Sequence, residues 1–281
     1  MENLGSTNGM LNVQKAINII VSKAASLQEE TILLKNSLGR ICSNDIYANI
    51  NSPPENVSSM DGYALKYSNL KNINKIPIKI VGESAAGNTY TKKLNNYECV
   101  EIYTGAEVPK GANLILLQER AIINNNHIVS TNQNYKKEQY VRKKSSNFKI
   151  NSLIIRKNSL ITSRKLGLAI SSNHTKIHVY KKPNIAILAT GNELKNPNKQ
   201  LNNAIISSNT PLLISLINSF GGKAYDLGIA KDNINSLIKK FRNINKFDIL
   251  ITTGGASVGK HDLVKDVLNK LGMQLIFWKV A

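Results

Sequence analysis

The stretch Ile185 to Leu194, IAILATGNEL, and its echo Phe247 to Gly259, FDILITTGGASVG, decide the reading of the chain. Each is a short apolar run of strand length that breaks into a glycine turn. Between them, Pro211 sits at the start of a helix that runs to Phe220 and is closed by Gly221-Gly222. Ala224 to Ile229 reads as a second strand. Asp232 heads a helix with Ile234, Leu237, Ile238 and Phe241 on one face. After the second stretch, Leu263, Val267, Leu268 and Leu271 mark a third helix ended by Gly272, and Leu275 to Val280 reads as a fourth strand. Strand–helix alternation of this length predicts a parallel sheet with crossover helices.

Upstream the periodicity changes. Asn12 caps a helical pattern of Val13, Ala16, Ile17, Ile20, Val21 and Ala24. The Pro53-Pro54 segment is a loop. Ile76, Ile78 and Ile80 alternate as in a strand, Leu114 to Leu117 is a short apolar strand, and Ile122-Ile123 and Ile128-Val129 flank three asparagines as a hairpin does. Thr162 caps a helix carrying Leu166, Leu168 and Ile170. Residues 1–11 form a polar lead that reads as disordered.

The chain has 281 residues, enough for about two domains. Two cysteines, Cys42 and Cys99, exclude a disulfide scaffold and a cysteine-rich zinc site. No apolar run is long enough to cross a membrane. The N-terminus lacks the features of a secretory signal, so a cytoplasmic location is expected. Lys+Arg 37 against Asp+Glu 18 gives +19. The basic residues are scattered and aromatics are only 6%, so no stacking platform for nucleic acid is expected. The surface should attract small anions.

Open parallel sheets bind ligands beyond the carboxyl ends of their strands. That rule selects Gly191, Asn192 and Glu193 after the first strand, Lys231 and Asp232 after the second, Gly254 to Gly259 with His261 and Asp262 after the third, and Lys279 at the end of the fourth. Glycine turns leading into a helix present N–H groups to an anion. A tight turn with no ligand is the alternative, as a helix N-cap worth about 1 kcal/mol is for Asp232. Gly254, Gly259 and Lys260 nearly match a P-loop, but His261 stands where magnesium needs a Ser or Thr hydroxyl. The four histidines share no ligand spacing, so a bound metal would take oxygen donors, as magnesium does.

Six ordered segments together resemble one family, the molybdopterin molybdenumtransferases of the MoeA and gephyrin E-domain type. They are Met60 to Ala64 (MDGYA), Thr104 to Ala112 (TGAEVPKGA), Gln118-Glu119, Ala189 to Leu194 (ATGNEL), Gly254 to Gly259 with Asp262, and Phe277-Trp278-Lys279. The resemblance implies an α/β plus β multidomain chain. Its expected parts are the lead at 1–11, a linker and dimerisation domain from 12–50 and 148–180, a β-rich domain at 51–147, and a molybdopterin-binding α/β domain at 181–281. It also implies that the chain is C-terminally truncated, the family's C-terminal β-domain being absent.

The implied activity is cytoplasmic molybdenum cofactor biosynthesis: molybdate enters adenylylated molybdopterin and AMP leaves, with Mg2+ as the cation. The implied catalytic positions are Asp61, Thr104, Glu193, Asp232 and Lys279. Gly254, Gly255, Ser257 and Gly259 would bind the pterin or phosphate part, and Asp262 with Asp232 would hold the metal. The implied partners are a second copy in a homodimer and other proteins of the same pathway, with neither specific nucleic acid nor membrane. Asn192 stands where the family carries Asp, and residues 142–147 lack the family's acidic pair. A truncated, non-catalytic remnant, or a pterin- or nucleotide-binding module that keeps the dimer surface, is the alternative.

Overall fold

The computed structural model describes residues 10–132, 134–197, 204–254, 263–277 and 279–280. The chain divides into two units: Met1–Thr31 with Gly39–Ile41 and His178–Ala281, and Ile32–Leu38 with Cys42–Ile177.

Helix α1, Val13–Lys23, belongs to the first unit and is capped as expected, the Asn12 side chain accepting from the Gln14 N–H. Only Ala16 of its apolar stripe is buried; Val13, Ile17, Ile20 and Val21 are 46–66% exposed. The expected lead at 1–11 lies mostly outside the described residues, but Leu11 is buried and bridges to Val280. Arg40 has a structural role within the first unit. Arg40 donates to the Glu30 carboxylate at 2.5 Å and to the Tyr180 carbonyl at 2.6 Å.

The second unit is built on a six-stranded mixed sheet. Its strands are β1 (Gly62–Leu65), β2 (Ile78–Ser84), β3 (Glu98–Ile102), β4 (Leu114–Leu117), β5 (Ala121–Asn124) and β6 (His127–Ser130), in the order β4-β1-β3-β2-β6-β5. Both faces are buried, and the two-residue period sorts the side chains. Tyr63, Leu65, Leu114 and Leu116 enter one cluster, while Ala64, Val100, Ile102 and Ile115 enter the other. The β5–β6 turn at Asn125 and Asn126 has positive φ at both residues (46° and 63°), as a two-residue hairpin with the sheet's twist requires. Gly62 is fixed by close approach: a Cβ there would lie 2.0 Å from the Leu116 carbonyl oxygen. Helix α2, Ser163–Ser171, is capped by Thr162.

The first unit contains a parallel three-stranded sheet. Its elements follow in the order β7 (Asn184–Thr190), α3 (Asn209–Ser219), β8 (Lys223–Ala230), α4 (Ile234–Phe241), β9 (Ile249–Thr253) and α5 (Leu263–Lys270). The sheet order is β8-β7-β9, every neighbour parallel. Leu188 and Ala230 pack with Leu237 and Phe241 of α4 and Val264 and Val267 of α5 in one cluster, while α3 lies against β7 and β8.

Two expectations fail here. Leu275 to Val280 forms no fourth strand among the described residues; Met273–Phe277 has no regular structure, and Val280 makes one isolated bridge to Leu11. A strand needs a ladder for its N–H and C=O groups, which an apolar run does not supply by itself. The cap of α4 is Asn233, whose side chain accepts from the Ser236 N–H, and not Asp232.

Candidate functional site

The order β8-β7-β9 places a topological switch point between β7 and β9, because the chain leaves β7 toward one side and later returns across it. Their carboxyl ends lie together: Thr253 pairs with Ala189 in the parallel ladder, one residue before Thr190. Gly254 follows with φ +83°, and a Cβ on it would lie 2.2 Å from the Thr190 carbonyl oxygen. Only glycine lets the chain turn there. Thr190, Glu193, Ser207, Asn209, Thr253 and Gly254 line a cleft of about 210 Å³ at this edge.

Beside the cleft, the turns after β7 and β8 are tied to each other. The Asn192 N–H donates to Asp232 Oδ2 and the Asp232 N–H donates to Asn192 Oδ1, both at 3.2 Å. The Gly191 N–H also donates to the Ala230 carbonyl at 3.2 Å. Asp232 is thus freed from helix capping and presents its carboxylate at the sheet edge. The Glu193 carboxylate folds back over Gly191, where a Cβ would meet Oε1 at 2.5 Å. A two-residue parallel ladder, Leu194–Lys195 with Ile205–Ile206, carries the chain from this turn to the start of α3.

In the other unit, Asp61 lies just before β1. Its Oδ1 accepts from the Thr104 N–H at 2.7 Å and the Thr104 hydroxyl at 2.8 Å. The backbone bond, then the hydroxyl bond, hold the Asp61 carboxyl below its ordinary value. Neighbouring Tyr103 is pushed up, first by the Glu101 charge and then by burial and Glu83. A second cleft of about 440 Å³ lies in this unit, with Pro53, Gly105, Glu107 and Arg142 among its walls. Arg142 donates to Asn147 at 2.9 Å.

The structure therefore brings Asp61 to Thr104 in one unit, and Glu193, Gly254 and Asp232 to one sheet edge in the other. Gly255, Ser257, Gly259 and Asp262 lie outside the described residues. Lys279 is half-buried and its carbonyl accepts from the Leu11 N–H at 2.8 Å. No group of three or more His, Cys, Asp or Glu side chains is placed to hold a metal among the described residues. No helix of the described residues is long and apolar enough to cross a membrane. Ser207, Ser208 and Asn209 also line the cleft, and their small polar run ahead of a helix is the signal for them in the sequence.

Comparison with known proteins matches residues 11–172 to the MoeA N-terminal region (domain I and II) and residues 186–281 to the probable molybdopterin binding domain. A protein named molybdopterin molybdenumtransferase from Haemophilus influenzae is 31% identical over 256 residues, 90% of this chain and 63% of that protein. One of the same name from Staphylococcus aureus is 28% identical over 274 residues, 96% of this chain and 65% of that protein. The crystal structure of a molybdopterin biosynthesis MoeA protein from Pyrococcus horikosii superposes with a TM-score of 0.81 at 28% identity, covering 93% of this chain and 67% of that one. This chain spans somewhat under two thirds of the length of the curated relatives it matches.

Proposed function

We propose that this chain, which belongs to the MoeA family, serves molybdenum cofactor biosynthesis by inserting molybdate into adenylylated molybdopterin with release of AMP. The observation that carries the reading is the switch-point cleft, whose glycine turn and flanking carboxylates occupy the carboxyl edge of a sheet in the region matched to a molybdopterin-binding domain.

Each residue has a physical role in that reaction. In this reading the Gly254–Gly259 segment, with Gly255 and Ser257, supplies backbone N–H groups to the pterin or phosphate part of the substrate. Lys279 offers an ammonium to the anionic reactants. Glu193 accepts a proton or orients water, and Asp61, pinned at Oδ1 by Thr104, keeps Oδ2 clear of both bonds for the same purpose. Magnesium fits the donor chemistry. It takes one or two carboxylates plus substrate phosphates, and the Asp232 and Asp262 side chains are hard oxygen donors. When bound, the cation supplies polarisation of the phosphoryl bond.

The working form in this reading is a homodimer. The exposed stripe of Val13, Ile17, Ile20 and Val21 supports it, since an amphipathic helix leaves such a face to water at a cost that a second copy removes. Light scattering should then give twice the chain mass of 31.0 kDa. The decisive experiment is magnesium- and molybdate-dependent AMP release from adenylylated molybdopterin by the purified chain. Release that disappears in Asp232→Ala is the expected result. Tight substrate binding with no release would replace the reading with a pterin- or nucleotide-binding module.

A further inference from the structure

We propose that the second cleft, in the second unit, reads a pterin ring: Glu107 takes the ring's N–H donor edge, and Arg142 takes the anionic group that the ring carries. The inference deepens the proposed function and rests on that reading for the identity of the pterin-bearing molecule.

The cleft holds about 440 Å³, within the range of small-molecule sites. Charges of both signs line it: Glu55, Glu107 and Arg142. Glu55 is neutralised by Lys144 Nζ at 2.7 Å. Glu107 and Arg142 stay apart, and among the described residues neither has an ion-pair partner. Glu107 Oε2 meets only the Thr89 hydroxyl, at 3.5 Å. Two unpaired charges of opposite sign thus line one cleft without bridging it.

Arg142 is aimed without being neutralised. Its Nη2 donates to Asn147 Oδ1 at 2.9 Å. Asn147 is locked to Ser52 in turn: its Nδ2 donates to the Ser52 hydroxyl at 3.0 Å and its N–H to the Ser52 carbonyl at 2.9 Å. A neutral amide at this place fixes the guanidinium and leaves its full charge, with further N–H donors, for an outside anion. An aspartate of the same shape would hold the group equally well and cancel its charge.

A simple oxyanion would satisfy Arg142 but meet Glu107 with like charge, and a simple cation would do the opposite. A molecule that carries both an anionic group and N–H donors satisfies the two together. Pro53, Pro54, Val57 and Ala86 supply apolar wall for a flat ring, and Gly87 and Gly105, where a Cβ would stand in open space, add bare backbone. An ionised carboxylate only accepts hydrogen bonds. The 2-amino-4-oxo edge of a pterin sets an amino group beside a ring N–H, two donors for one carboxylate. Adenine sets its amino group beside ring nitrogens that only accept, so its one donor comes with a repelling neighbour. Glu107 therefore chooses the pterin over adenine. Guanine shares the pterin's edge, and the proposed function is what names the pterin.

The test is the fluorescence anisotropy of 6-carboxypterin, which carries the donor edge and a carboxylate, titrated with the full chain. A saturable rise is expected. The lumazine counterpart, in which oxygen replaces the 2-amino group, should bind about tenfold more weakly, the effect of one hydrogen bond to a charged group. Glu107→Gln should weaken 6-carboxypterin and plain pterin alike, again about tenfold. Arg142→Gln and Asn147→Asp should weaken 6-carboxypterin about tenfold and leave plain pterin unchanged, and that retained binding also shows that the variants are folded. No saturable binding, equal binding of the lumazine counterpart, tighter binding of GMP, or indifference to Glu107→Gln would overturn the proposal. AMP release undiminished in Glu107→Gln would keep the proposed function and reject this site. Pterin binding with the expected pattern but without AMP release would do the reverse.

Discussion

Thr104 holds Asp61 by a single carboxylate oxygen, Oδ1, through its N–H at 2.7 Å and its hydroxyl at 2.8 Å, although 43 residues separate the two in the chain. Oδ2 takes neither bond and is fixed in direction by the pair.

The Asp61 carboxyl should therefore titrate below the ordinary 3.8 in a carboxyl-detected NMR titration. Its lowered value means that the stabilisation is full above the unfolded value and fades as pH falls through the folded one, below about pH 4. Thr104→Ala deletes only the hydroxyl bond, the smaller of the two causes. The carboxyl should then move part of the way back up and stop short of 3.8. A full return, or no movement, would contradict the assignment.

Gly62→Ala should destabilise the β-rich unit by about 3 kcal/mol or more, at the top of the range for overpacking. The added Cβ would press on the Leu116 backbone oxygen at 2.0 Å and the Leu116 carbonyl carbon at 2.9 Å, and backbone cannot swing aside as a side-chain tip can. Urea unfolding measures this directly. A loss under 1 kcal/mol would mean that β1 and β4 are further apart than described.

Both cysteines should be inert in the native chain. Burial pushes the Cys99 thiol up to about 12 and raises Cys42 as well. The thiolate is the reactive form. An aromatic disulfide reagent at pH 8 should release no colour until denaturant is added, then two equivalents. Rapid native labelling would show that one of them is accessible.

Asn192→Ala removes the acceptor for the Asp232 N–H and leaves the Asn192 N–H to Asp232 Oδ2 in place. The pair is at the surface, so melting should change by about 0.5 kcal/mol or less. AMP release should fall about tenfold if Asp232 must be aimed, since small misplacements of a reacting group are costly. Asn192→Ser, which keeps an acceptor, should recover part of the rate. Equal rates in all three proteins would remove Asn192 from any positioning role.

Local rules make much of the architecture legible in the sequence. The Asn12 and Thr162 caps, the asparagine hairpin, and Gly221 and Gly272 at helix ends all depend on a few consecutive residues, and all form. Strand β7 is readable because a parallel strand buried on both faces shows up as an apolar run. Six spaced motifs carried the family resemblance.

The failures have the opposite character. Leu275 and Ile276 look like strand residues but are 47% and 51% exposed, because pairing depends on a partner that the local run does not encode. Asp232 looks like a helix cap, yet Asn233 takes that role and the carboxylate turns to Asn192, 40 residues earlier.

The sequence by itself determined the helices and strands whose signals are local, such as α1, α2, β7 and the β5–β6 hairpin, and which glycine turns follow the strands. Those properties arise from steric preferences and hydrogen bonds spanning a few residues. Tertiary structure alone decided that β7 lies between β8 and β9, and hence that Thr190 and Thr253 share one edge. It also decided that Thr104 meets Asp61 and Asn192 meets Asp232. Strand order and such long-range pairs follow from how apolar faces are buried against one another, and no short window of residues contains that information.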